Sequence, residues 1–74
     1  MDVDNLVRMA NQIGAFFETM PNRQQALADI AGHLKKFWDP RMRQELLQYI
    51  DEQGDALLIE IVQETIRAHR AEIL

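Results

Sequence analysis

Apolar residues recur along this chain with helical spacing, in four series separated by three breaks. The first series is Leu6, Met9, Ala10, Ile13, Phe16, Phe17 and Met20. Steps of three and one place these on one face of an α-helix. Asp2 or Asp4 caps its start, with acid at the positive end of the helix dipole. Pro21 ends it, because proline cannot continue the hydrogen-bond ladder and disfavours helical geometry in the residue before it. Asn22 opens the second series, and Gln25 three residues on resembles a capping box. Leu27, Ile30, Ala31, Leu34, Phe37 and Trp38 follow. Asp39 and Pro40 then provide an N-cap and a favourable first helical residue. The third series is Met42, Leu46, Leu47 and Ile50, and Gly54 stops it. The fourth begins near Asp55, with Leu58, Ile61, Val62 and Ile66 as its stripe. Leu57 to Val62 also fits a short buried strand by periodicity, but Gln63 to Glu72 continues with good helix formers. The pattern therefore predicts an all-α fold, a small bundle of three to four short helices spanning about 4–20, 23–37, 40–52 and 55–72. The connections are short, so neighbours are expected to pack roughly antiparallel, as a single helical domain over residues 1–74.

Length sharpens this picture. A chain of 74 residues buries only about 60% of the surface its unfolded form exposes, which leaves a marginal domain. Cysteine is absent, so neither disulfides nor thiolate metal sites can staple it. His33 and His69 lie far apart. Good helix packing or a partner must supply the remaining stability.

The net charge of −4 is uneven. Residues 1–44 carry six basic and five acidic side chains, whereas residues 45–74 carry two basic and seven acidic. An acidic second half argues against general nucleic-acid affinity, which needs a phosphate-neutralising surface. The basic patch from His33 to Arg43 is local and suits one partner. Asp2 and Asp4 precede the first apolar residues, the reverse of a signal peptide's basic start. No apolar run approaches the roughly 20 residues of a membrane span. The expectation is a soluble cytoplasmic protein.

No catalytic constellation emerges. Serine and cysteine are absent, and Thr19 and Thr65 sit within helical patterns. Asp51–Glu52 and Glu60–Glu64 read as solvated surface charge. Gly14, Gly32 and Gly54 are scattered and form no phosphate loop. His33 and His69 read as exposed residues near helix C-termini, where positive charge is favoured.

Three features break local rules. Gly14 lies inside a strong helix, at a cost of about 1 kcal/mol against alanine. With Ala10 it forms a small-residue strip, for close packing either by another helix of the bundle or by a partner chain. Arg8, Asn11 and Gln12 make a polar strip on the same helix, either solvated or poised to hydrogen-bond a partner's backbone. Arg41 and Arg43 place two positive charges at the positive end of the third helix, each unfavourable by some tenths of a kcal/mol. Arg41 can reach Glu45 only in the poorer orientation. A local cost without local compensation points to an outside partner for at least one arginine. Trp38 beside them fits either an interface hot spot or core packing beneath the turn. The partner-binding candidates are thus Arg8, Asn11, Gln12, Gly14, Trp38, Arg41 and Arg43.

The segments Arg8-Met9-Ala10-Asn11-Gln12-Ile13-Gly14 and Phe37-Trp38-Asp39-Pro40-Arg41-Met42-Arg43 together resemble the delta subunit of NAD-dependent, molybdenum-containing formate dehydrogenases. Phe16-Phe17, Pro21, Arg23, Ala26, Ile30-Ala31 and His33-Leu34 extend the resemblance over roughly residues 5–47. It implies a soluble cytoplasmic complex. There, an alpha subunit carries a bis-molybdopterin guanine dinucleotide and iron–sulfur clusters, and beta and gamma subunits pass electrons to FMN and NAD. The delta subunit is implied to hold no cofactor or metal, to have no catalytic residues, and to bind the alpha subunit in support of its assembly, stability or activity. A transient maturation chaperone for the alpha subunit or its cofactor is one alternative. A small self-associating helical regulator, homodimeric in isolation, is the other.

Overall fold

Three side-chain caps and one left-handed glycine divide the chain. The computed structural model describes residues 2–74, and in it four α-helices follow one another: α1 Val3–Phe17, α2 Arg23–Phe37, α3 Pro40–Gln53 and α4 Glu60–Ile73. Asp2 accepts the amide of Asp4 at the head of α1, at 3.0 Å. Asn22 accepts the amide of Gln25 at the head of α2, at 3.1 Å. Asp39 accepts the amides of Arg41 and Met42 at 2.9 and 3.1 Å, with Pro40 as the first helical residue of α3. Each oxygen satisfies amides that have no partner within the helix. Gly54 closes α3 at φ +91°, a conformation side chains with a Cβ rarely adopt.

Two boundaries differ from the sequence pattern. α1 stops at Phe17 rather than at Met20. The Thr19 hydroxyl donates to the Phe16 carbonyl and the Met20 amide bonds the Phe17 carbonyl, so the last turn closes before Pro21 can clash with it. α4 begins at Glu60 rather than near Asp55. Asp55 to Leu58 form a tight turn, closed by the Leu58 amide on the Asp55 carbonyl at 3.0 Å. Leu57 to Ile59 belong neither to a strand nor to the helix. α4 itself bends at His69, whose φ and ψ are −127° and 23°. Beyond the bend Ile73 is 1% exposed, so the kink returns the end of the helix to the core.

α2 and α4 make the most extensive contact of any two helices, and α1 touches each of the other three. Leu6, Ile30, Leu34, Leu46, Ile61 and Val62 fill the centre. At the α2 N-terminus, Arg23 forks onto both oxygens of Glu64 on α4 and lies 4.0 Å from Glu18. Arg67 pairs with Asp55 at 3.0 Å and Arg70 with Asp51 at 2.7 Å. These pairs tie α4 to the elements around it. No helix among the described residues is long and apolar enough to cross a membrane.

Candidate docking face

Of the α1 polar strip that the sequence leaves either solvated or poised for a partner, one member, Asn11, is used inside the chain. Asn11 reaches the connection between α3 and α4. Its side-chain oxygen accepts the Ile59 amide at 2.9 Å, and its nitrogen donates to the Leu57 carbonyl at 3.0 Å. Ile59 is the N-cap of α4 and has no side-chain cap of its own. Asn11 therefore supplies, from another helix, a bond that a local cap would normally make. Gly14 lies one turn further along α1, against the start of α4. A Cβ there would stand 2.5 Å from the Val62 Cγ2 and 3.1 Å from the Ile61 Cγ2. Of the two close-packing readings of Gly14, the structure shows the one within the bundle: the approaching side chains are the chain's own. The amide at Asn11 likewise hydrogen-bonds a backbone across the small-residue strip, again within the same chain. Arg8 and Gln12 remain exposed, with Arg8 bonded to Asn5.

The second motif divides the same way. Trp38 is 5% exposed and packs into the core as the C-cap of α2. Arg43 is 7% exposed. Its guanidinium donates to the carbonyls of Trp38 at 2.6 Å and Lys35 at 3.2 Å. This corrects the expectation that the positive charge of Arg43 lacks compensation within the chain. It lies at the unfavourable end of α3 but beside the carbonyl end of α2, where a cation is favoured. Arg41 is exposed and forms no ion pair among the described residues.

Subtracting the residues that the fold consumes leaves a coherent surface. Met9, Gln12, Ile13, Phe16 and Phe17 of α1 face His33 and Phe37 of α2, with Trp38 and Met42 closing one end. Together they line a groove of about 600 Å³. Phe16 is 73% exposed and Phe37 70%, the two most exposed large apolar side chains described. The rings form a row. Phe16 and Phe17 meet edge to face at 5.1 Å, Phe17 and His33 at 6.2 Å, and His33 and Phe37 lie tilted at 4.8 Å. His33 is thus a half-buried member of an aromatic row rather than a freely exposed helix-end residue. Gln12 also borders a second furrow of about 580 Å³, which includes Arg8, Asn11 and the exposed Leu57.

Sequence reasoning assigned Phe16 and Phe37 to the buried stripes and so missed them. The signal was the doublet. Adjacent helical residues lie about 100° apart, so Phe16-Phe17 and Phe37-Trp38 cannot both send two rings into one core. In each doublet one ring turns inward and the other stays in solvent.

The chemistry that this face offers is mainly apolar, with Gln12 and His33 among its few polar members. Its lining holds no carboxylate. Among the described residues no group of three or more His, Asp or Glu could hold a metal ion. His69, on the far helix, is engaged by Glu72.

Fold and groove define a small four-helix protein whose largest exposed apolar side chains gather on one face. The family described as NADH-dependent formate dehydrogenase delta subunit FdsD matches the chain over residues 5–66. The chain belongs to that family. A search of curated proteins found no match, and neither did a search of solved structures.

Proposed function

We propose that this chain is a non-catalytic accessory subunit of a cytoplasmic NAD-dependent formate dehydrogenase, and that it docks on the molybdenum-bearing catalytic subunit to support its assembly, stability or activity. One observation carries the docking role. The groove leaves Phe16 and Phe37 at 73% and 70% exposure, the two most exposed large apolar side chains described. Contiguous exposed apolar surface rimmed by polar groups is characteristic of interaction sites. Family membership supplies the enzyme. Of the sequence candidates, Gln12 and Arg41 stay available to a partner, and Arg8 borders the second furrow together with Gln12. Asn11 and Gly14 hold the start of α4 against α1, and Trp38 and Arg43 hold the α2–α3 corner that closes the docking groove.

Affinity purification of the catalytic subunit tests this reading. The chain is expected to co-elute at a fixed ratio with active enzyme. Its complete absence from both nascent and mature enzyme would refute the proposal. Presence on the immature subunit alone would favour the maturation chaperone instead.

A further inference from the structure

We propose, resting on the subunit reading above, that the groove between α1 and α2 receives an amphipathic helix of the partner subunit, one whose apolar stripe is flanked by carboxylates. The shape argues for a helix. The groove runs between two helices and is walled by residues at helical spacing, the arrangement that accepts a third helix by its apolar face. No strand exists among the described residues, so there is no sheet edge to extend. A small molecule is a poor fit, because small-molecule sites bury most of their ligand. Walls exposed to the degree of Phe16 and Phe37 leave an open trough instead.

Charge identifies the flanks. Arg23, Arg67 and Arg70 each pair with a carboxylate of this chain, and Arg43 is spent on backbone carbonyls. Lys35, Lys36 and Arg41 have no such partner among the described residues. Of these, Lys36 and Arg41 belong to the segment that closes the groove. Lys36 lines an adjoining furrow with Phe17, His33 and Phe37, and Arg41 stands beside Met42 in the first turn of α3. Asp29 also borders that furrow, but it is held by Gln25, and the Asp39 carboxylate is occupied by two amides. Arg8 also lacks a carboxylate partner among the described residues, but it is bonded to Asn5 and borders the other furrow of α1. A protein of net charge −4 thus sets two of its unpaired cations, Lys36 and Arg41, beside its most apolar surface. A second copy of the chain does not suit this face. Two-fold pairing would set these cations against themselves. The other exposed large apolar residues, Leu57 and Leu74, form no acid-flanked stripe of their own.

The test uses the complete enzyme assembled with wild-type chain, with Phe16→Asp/Phe37→Asp, with Lys36→Glu/Arg41→Glu, and with Glu52→Lys on the α3 face as control. Retention per catalytic subunit is measured at low and high salt. The phenylalanine pair is expected to weaken retention about thirtyfold or more. The charge reversal is expected to weaken it about tenfold at low salt, with the deficit shrinking as salt screens it. The control is expected to match wild type. Circular dichroism checks that each variant folds. A photoreactive phenylalanine analogue at Phe37 maps the contact in otherwise wild-type chain, and is expected to capture a helical partner peptide with carboxylates beside its apolar positions. Wild-type retention with undiminished retention of both variants would overturn the groove while sparing the subunit reading. Absence of wild-type chain from the enzyme would overturn both. A crosslink to nucleic acid, to a second copy, or to a peptide without carboxylates would overturn the proposed occupant.

Discussion

Arg43 shows how a single side chain can contradict its own helix and still be well placed. Against α3 alone its charge is misdirected, but α2 ends where α3 begins, and the carbonyls of Lys35 and Trp38 are within its reach. Hydrogen bonds from a charged donor contribute about 1.5–3 kcal/mol each, more than the tenths lost to the α3 dipole. The Nε is buried without a partner among the described residues, which offsets part of that gain. Arg43→Met keeps the apolar stem but strands two carbonyls. It is expected to destabilise the fold by about 2–3 kcal/mol in urea unfolding. Arg43→Lys keeps the charge but not the planar fork, and is expected to fall between the two. Gly14 poses the opposite problem, since space rather than charge is limiting. Alanine there gains about 1 kcal/mol of helix propensity but meets the stiff, buried Val62 at 2.5 Å, and overpacking costs about 1–3 kcal/mol. Gly14→Ala is expected to destabilise by about 1 kcal/mol net. In a Val62→Ala background the same change is expected to be neutral or stabilising. A double-mutant cycle by thermal or urea unfolding would show that reversal of sign.

At the scale of elements, α4 depends most on the others. It carries no cap of its own and begins five residues later than its apolar pattern implies. Its start is held by Asn11 on α1 and by Gln63, which donates to the Asp55 and Leu58 carbonyls at 2.8 and 2.9 Å. Its middle is tied to α2 through Arg23 and Glu64. The hydrogen-bonded Arg23 guanidinium holds the Glu64 carboxyl below its ordinary range, against the smaller opposing effect of desolvation. The folded chain thus keeps Glu64 ionised at a pH where the unfolded chain has already bound a proton. The pair's contribution is fully present above the unfolded pKa and is lost as pH falls through the folded one. Arg23→Gln is therefore expected to melt below wild type near neutral pH. The gap should narrow below about pH 4 as glutamates protonate. Melting curves from pH 7 to pH 3 measure it. A gap that stays constant across that range would mean the pair contributes nothing through charge.

At the scale of the whole molecule, the chain extends 33 × 22 × 18 Å, too small to bury every apolar residue that its helices present. Four helices, their order and most of their caps were legible in the sequence. Each depends on contacts within one turn: Asp2, Asn22, Asp39 with Pro40, and Gly54 act on amides or dihedrals at their own helix ends. The inward stripes were legible for a similar reason, because helical periodicity does not depend on what a helix packs against. The family was legible in two motifs of seven residues each, and the match extends over residues 5–66.

Other matters were decided between helices. Whether Gly14 and Asn11 serve a partner or α4, whether Arg43 seeks an outside acid or the carbonyl end of α2, and which ring of Phe16-Phe17 and Phe37-Trp38 stays in solvent all depend on residues 5 to 48 positions apart in the chain. A periodicity argument identifies the face of a helix but not its neighbour. The sequence by itself thus determined which helices form and which faces are apolar, because those are local energies. Only the tertiary structure decided which unusual residues the fold consumes and which it leaves around the groove, because that depends on where one helix's unsatisfied groups meet another's.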